Sequence, residues 1–263
     1  MNKNIKICSN ELTVSCVYNH LIEDEINQLI FQNNITKLIF FNNIECRLDN
    51  LPNNITQLVI YGNILYELDN LPNSIEQIYL VNLTKSLNNL CQTVKILSLG
   101  NKFNDFVNNL PNKLEEIIFG NLFDKPIDKL PNSLISIKFG SNFNQPVDKL
   151  PNKLKIIIFG EKFNQSIDMI PNSINFISFD WVGDFNQPVF KLPIYLEEIY
   201  FGNNFSNFIC EFPIGLKKIL LGEMFNKPVI LPITIEKIKL SRKYKYLDMI
   251  TNTIDKYVIK EIY

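Results

Sequence analysis

The sequence predicts a β-rich repeat solenoid with short parallel strands on one concave face, irregular or extended return segments and a cap at each end. Three observations carry this. Leu51-Pro52-Asn53, Leu71-Pro72-Asn73, Leu110-Pro111-Asn112, Leu130-Pro131-Asn132, Leu150-Pro151-Asn152 and Ile170-Pro171-Asn172 mark a period of 20 residues. Each opening is followed by apolar residues ending in a period-two pair, such as Leu134, Ile137, Phe139 or Leu154, Ile157, Phe159, which is strand patterning. The chain of 263 residues has no alanine, the best helix former, and is rich in Ile, Phe and Tyr, which favour strands.

Residues 1–30 read as an N-terminal cap. Ile5 and Ile7, then Leu12, Val14, Cys16 and Tyr18, alternate on either side of Ser9-Asn10 as in a hairpin. Leu21, Ile22, Ile26, Leu29 and Ile30 share a helical face, with Glu23, Asp24 and Glu25 where the helix dipole favours acid.

Residues 31–243 read as the repeat array, with Phe31-Gln32 and Leu90-Cys91 in the Leu-Pro slot and Leu192-Pro193, Phe212-Pro213 and Leu231-Pro232 continuing it. The step from Ile170 to Leu192 is two residues longer than the period, which places an insertion at Trp181-Val182, beside Gly183. Gly100, Gly120, Gly140, Gly160, Gly202 and Gly222 follow the strands and are expected to let the chain turn. A second block follows: Phe143-Asn144-Gln145-Pro146, Phe185-Asn186-Gln187-Pro188 and Phe225-Asn226-Lys227-Pro228, with Phe123-Asp124-Lys125-Pro126 as a variant. All thirteen prolines fall in these two slots, and proline prevents a helical return. The asparagines after Phe (Asn104, Asn144, Asn164, Asn186, Asn226) recur on the turn, where an amide can satisfy backbone groups of the next rung. They read as a structural ladder. A single rung buries too little to order itself, so neighbouring rungs must supply the stability.

Residues 244–263 read as a C-terminal capping helix carrying Tyr246, Leu247, Ile250, Ile254, Tyr257, Val258 and Ile262 on one face.

The Phe-Asn-x-Pro block within a period of about twenty, with Leu-Pro-x-x-Leu between, resembles the FNIP repeat. This leucine-rich-repeat-like unit is common in social amoebae and in giant DNA viruses that infect amoebae. The resemblance covers residues 31–240 and implies a leucine-rich-repeat-like solenoid used for protein–protein contact. Some relatives carry an N-terminal F-box that recruits a ubiquitin ligase, so the resemblance also implies host ubiquitin-ligase components as candidate partners. The thirty residues before the first rung contain no proline and no F-box-like Leu-Pro start.

The charge balance of 26 basic to 27 acidic side chains argues against nucleic-acid and polybasic membrane binding. No apolar run is long enough to span a bilayer. Residues 1–20 lack the apolar run of a signal peptide, and five cysteines without a C-x-x-C pair read as reduced thiols. A cytoplasmic location, in an amoebal or infected host cell, is the expectation. His20 is the single histidine and reads as an exposed or cap residue. Asp128, Asp148 and Asp168 stand at repeat spacing, but Lys129 and Lys149 beside them favour a solvated surface over a cation site. No catalytic motif, cofactor loop or metal signature is present, so no catalytic residue, cofactor or metal is expected.

The residues that alternate outward on the strands should be polar if only water met them. Ile118, Ile156, Ile158, Phe176, Tyr200 and Leu220 are apolar instead, which points to a binding face for a protein partner. Adaptor duty for a ubiquitin ligase and self-association as a structural protein are the alternatives.

Overall fold

The computed structural model of the chain describes residues 4–84, 87, 89–251 and 259–262. They form two compact units, Met1–Gly120 with Lys129–Leu134 and Asn121–Asp128 with Ile135–Tyr263. Each is a parallel β-solenoid built from the repeat read above.

In the first unit, β1 (Ile5–Cys8) and β2 (Glu11–Val14) form an antiparallel hairpin, with Ser9 in the left-handed region at φ 54°. The helix α1 (Glu23–Gln32) follows. The strands β3 (Lys37–Phe40), β4 (Gln57–Ile60), β5 (Gln77–Leu80), β6 (Ile96–Leu99) and β7 (Glu116–Ile118) come next. From β2 onward each pairs in parallel with the next, in register. Register is fixed because a one-residue slip would turn the core row outward. That row, Leu38, Leu58, Ile78, Leu97 and Ile117, is fully buried.

The first rung departs from the expectation. Its return path is α1, whose 3.6-residue period turns Ile26 and Ile30 inward. Phe31, expected in the slot of Leu51 and Leu71, is therefore 79% exposed, and Leu21 lies outside the helix in solvent.

The second unit carries β8 (Ser136–Lys138), β9 (Ile156–Ile158), β10 (Phe176–Ser178), β11 (Glu198–Tyr200), β12 (Lys218–Leu220) and β13 (Lys237–Leu240). Each pairs in parallel with the next. Two phenylalanine columns fill its interior. Phe123, Phe143, Phe163, Phe185, Phe205 and Phe225 stack with ring centroids 5.7–6.1 Å apart. Phe139, Phe159, Phe179 and Phe201 form the second column, and Phe139 lies 3.7 Å from Phe143 within its own rung. The insertion at Trp181-Val182 is a turn closed by the Gly183 N–H donating to the Asp180 carbonyl at 3.1 Å, so it leaves the columns intact.

The C-terminus corrects the expected helix over 244–263. Among the described residues of that segment, α2 (Leu247–Thr251) is the helical part, and β14 (Ile259–Ile262) pairs in parallel with β13. Ile254, Tyr257 and Val258 lie outside the described residues. The segment is rich in β-branched and aromatic residues, and β13 offers an open edge of backbone donors and acceptors.

The glycines also have a different reason from the one expected. No glycine described here has a positive φ. A Cβ on Gly160 would stand 2.0 Å from the Gly140 carbonyl oxygen, and one on Gly222 would stand 2.3 Å from the Gly202 oxygen. Close rung-to-rung approach, not turning, excludes a side chain.

Candidate interaction surface

Alternation along each three-residue strand buries the middle residue and turns the two flanking ones toward solvent. In the second unit this produces two adjacent rows. One runs Ile156, Phe176, Glu198, Lys218, Lys237, and the other Ile158, Ser178, Tyr200, Leu220, Lys239. Ile156 and Phe176 are paired across β9 and β10, and Ile158 faces the same way two residues on from Ile156. Tyr200 and Leu220 are paired across β11 and β12. Ser178 interrupts the second row, and the Phe176 ring bridges the gap, meeting Tyr200 edge-on at 5.5 Å and 88°. All five apolar residues are half-buried. Ile118, the sixth expected member, belongs to the first unit, where it is half-buried and paired with Ser98.

The apolar rows pass into a charged end. Glu198 Oε2 accepts the Tyr200 hydroxyl at 2.6 Å, and Glu198 Oε1 accepts Lys218 Nζ at 2.7 Å. Burial alone would raise the Glu198 pKa, but these two hydrogen bonds and the nearby lysine charges hold it below the usual carboxylate value. Burial, the bond to Glu198 and its charge push Tyr200 up to about 12. Beside this pair Tyr200, Lys218, Leu220, Lys237 and Lys239 line a depression of about 300 Å³. The surface can thus offer an apolar strip and, next to it, a basic recess.

A second exposed feature was missed in the sequence. Ile194, Ile214 and Ile233 each follow the repeat proline and are 54%, 79% and 89% exposed. The same slot holds Asn132, Asn152 and Asn172 in the preceding rungs. The Ile194 N–H donates to Asn172 Oδ1, which shows that the two slots stack. Replacement of Asn by Ile in three successive openings was the available signal.

Asp128, Asp148 and Asp168 do not gather as a cation site. Lys149 pairs with Asp128 at 2.9 Å, and Asp168 accepts the backbone N–H groups of Phe190 and Lys191. Among the described residues, one mixed group of potential metal ligands forms, and it lies at the N-terminal end. His20, Glu23 and Cys46 place their ligand atoms within 4.8 Å of one another. Burial and the Glu23 charge push the Cys46 thiol up to about 11.

The stacked rungs define a repeat protein of parallel β-solenoid architecture. A family model, the FNIP Repeat, matches residues 123–150 and 146–180, the stretch that carries the Phe123, Phe143 and Phe163 blocks. No curated protein matches the chain. Among solved structures the chain is similar to the crystal structure of CroV588, a novel circular LRR protein structure, with 24% identity and a TM-score of 0.45. The similarity covers 90% of this chain and 51% of CroV588, so the chain spans about half of that protein's length. Among the described residues no helix is long and apolar enough to cross a membrane.

Proposed function

We propose that this chain is a non-catalytic interaction module that grips a protein partner on the solvent face of its sheet. The observation that supports this most is the apolar strip Ile156, Ile158, Phe176, Tyr200 and Leu220, joined by the Phe176–Tyr200 contact and flanked by Lys218, Lys237 and Lys239. Desolvating these half-buried side chains favours association, and Tyr is suited to a contact that is apolar on its ring and polar at its tip. The basic recess favours a partner segment that carries an acidic group beside apolar residues. Ile118 is proposed as a contact residue of the first unit, on its side-chain type and outward register.

The test is capture of partners from cell lysate by the wild-type chain, Ile158→Asp and Tyr200→Asp. Both variants are expected to lose the captured protein, Ile158→Asp with little change in melting temperature and Tyr200→Asp with a modest fall, since it also gives up the bond to Glu198. Normal capture by both would overturn the sheet-face reading. Ubiquitin-ligase components in the wild-type eluate would favour the adaptor alternative. A mass that grows with concentration in light scattering would favour self-association.

The exposed row Ile194, Ile214 and Ile233 favours a second contact surface on the Leu-Pro edge. Its test is the triple change Ile194→Asn, Ile214→Asn and Ile233→Asn, which restores the residue that other rungs carry and so respects the fold. Loss of capture in this variant, with capture retained in Tyr200→Asp, would assign binding to the edge.

A further inference from the structure

We propose that His20, Glu23 and Cys46 form a zinc site that ties the approach to α1 to the rung carrying Cys46. The three residue types supply N, O and S donors, a set that suits Zn²⁺ and disfavours Mg²⁺ and Ca²⁺. Their ligand atoms all lie within 4.8 Å of one another. Zinc bonds of about 2.0–2.3 Å in a tetrahedron put neighbouring ligands roughly 3.4–3.8 Å apart, so only small side-chain adjustments are needed. His20 Nδ1 already stands 3.4 Å from Glu23 Oε2. That separation is long for a charge-assisted hydrogen bond and fits two atoms sharing one metal.

The surroundings are arranged for this. Asn50 Nδ2 donates to Glu23 Oε1 at 3.0 Å, which holds the carboxylate with Oε2 toward the histidine. Such outer contacts orient metal ligands. The His20 side chain is 79% exposed and free to turn, whereas Cys46 is buried. An independent observation comes from Tyr18. It is 1% exposed, its hydroxyl has no hydrogen-bond partner, and its backbone oxygen lies 4.0 Å from Cys46 Sγ. A buried hydroxyl without a partner costs free energy. A water in the fourth zinc position would give it one. On binding, the Cys46 thiol gives its proton to solvent and the sulfur pair forms the Zn–S bond, Glu23 binds as the carboxylate and His20 through neutral Nδ1.

The experiment uses the full chain, reduced and stripped of metal, titrated with Co²⁺ and separately with Zn²⁺. The expected result is uptake of one equivalent of Co²⁺ with a sulfur-to-cobalt charge-transfer band, and a rise of several degrees in melting temperature with saturating Zn²⁺. A variant with Cys8, Cys16, Cys91 and Cys210 changed to Ser should keep the band. Cys46→Ser should abolish it, and His20→Ala, an exposed change that spares the fold, should weaken Co²⁺ binding at least tenfold and remove the Zn²⁺ stabilisation. Absence of the band in the wild type, its loss in the four-cysteine variant, or unchanged binding in His20→Ala would each overturn the site.

Discussion

Asn144 Oδ1 accepts the backbone N–H of Asn164, one rung further along, at 2.9 Å, and the same oxygen accepts Gln165 Nε2 at 3.1 Å. The link repeats: the Asn144 N–H donates to Asp124 Oδ1, the Asn186 N–H to Asn164 Oδ1 and the Ser206 N–H to Asn186 Oδ1. These turns lack a strand ladder, so a side chain does what a neighbouring carbonyl does elsewhere. Asn144→Ala should cost about 1–3 kcal/mol because it strands a partly buried donor. Asn144→Asp should recover most of that, since Asp124 fills the same role one rung earlier. Urea unfolding of the two variants measures the difference.

Phe163 lies 3.8 Å from Phe159 in its own rung and about 6 Å from Phe143 and Phe185 on either side. Phe163→Ala should open a cavity and cost about 3–5 kcal/mol, while Phe163→Leu should cost clearly less. A calorimetric scan in which both melt alike would show that the column is not a source of stability.

Gly160 and Gly215 make a matched pair. An added Cβ meets the Gly140 oxygen at 2.0 Å in the first case, and its nearest neighbour is the Leu196 oxygen at 4.0 Å in the second. Gly160→Ala must therefore push two rungs apart and should cost about 1–3 kcal/mol or more. Gly215→Ala should leave stability unchanged or slightly raised, because the substitution restricts the unfolded chain. Circular dichroism melts of both, run side by side, are sufficient.

The Tyr200–Glu198–Lys218 cluster gives a pH dependence. The folded pKa of Glu198 lies below the ordinary value of about 4.3, so its stabilisation is present above that pH and is lost as pH falls through the folded value. Glu198→Gln should flatten the acid limb of stability against pH. Tyr200 has its pKa raised to about 12. Its contribution is complete below the unfolded value of about 10 and fades as pH rises from there through the folded value. Tyr200→Phe should remove that alkaline loss, which melting temperatures between pH 8 and pH 12 would register.

Much of the repeat was legible because each rung states the same chemistry again. The buried row, the insertion at Trp181-Val182 and the asparagine ladder all follow from slots that recur. Where a segment leaves the period, the reading weakened. Phe31 matched the slot by position, yet α1 turned it outward, because a helical return changes which residues face inward. The C-terminal pattern fitted a helix face equally well, and the open edge of β13 drew Ile259–Ile262 into the sheet instead. The outward strand residues were named from alternation alone. Their continuity through Phe176 and Tyr200 needed the cross-strand register, and the Ile194, Ile214 and Ile233 row needed knowledge of exposure.

The sequence by itself determined the rung: its period, its buried positions, its strand and its rigid proline corners, since these depend on contacts repeated at short range along the chain. The tertiary structure alone decided what meets across rungs and at the ends. His20 and Glu23 reach Cys46 only because the helical approach and the strand turn fold back on one another, and Gly160 is glycine only because Gly140 lies against it. Proximity between distant segments is set by stacking geometry, which no local pattern of residues encodes.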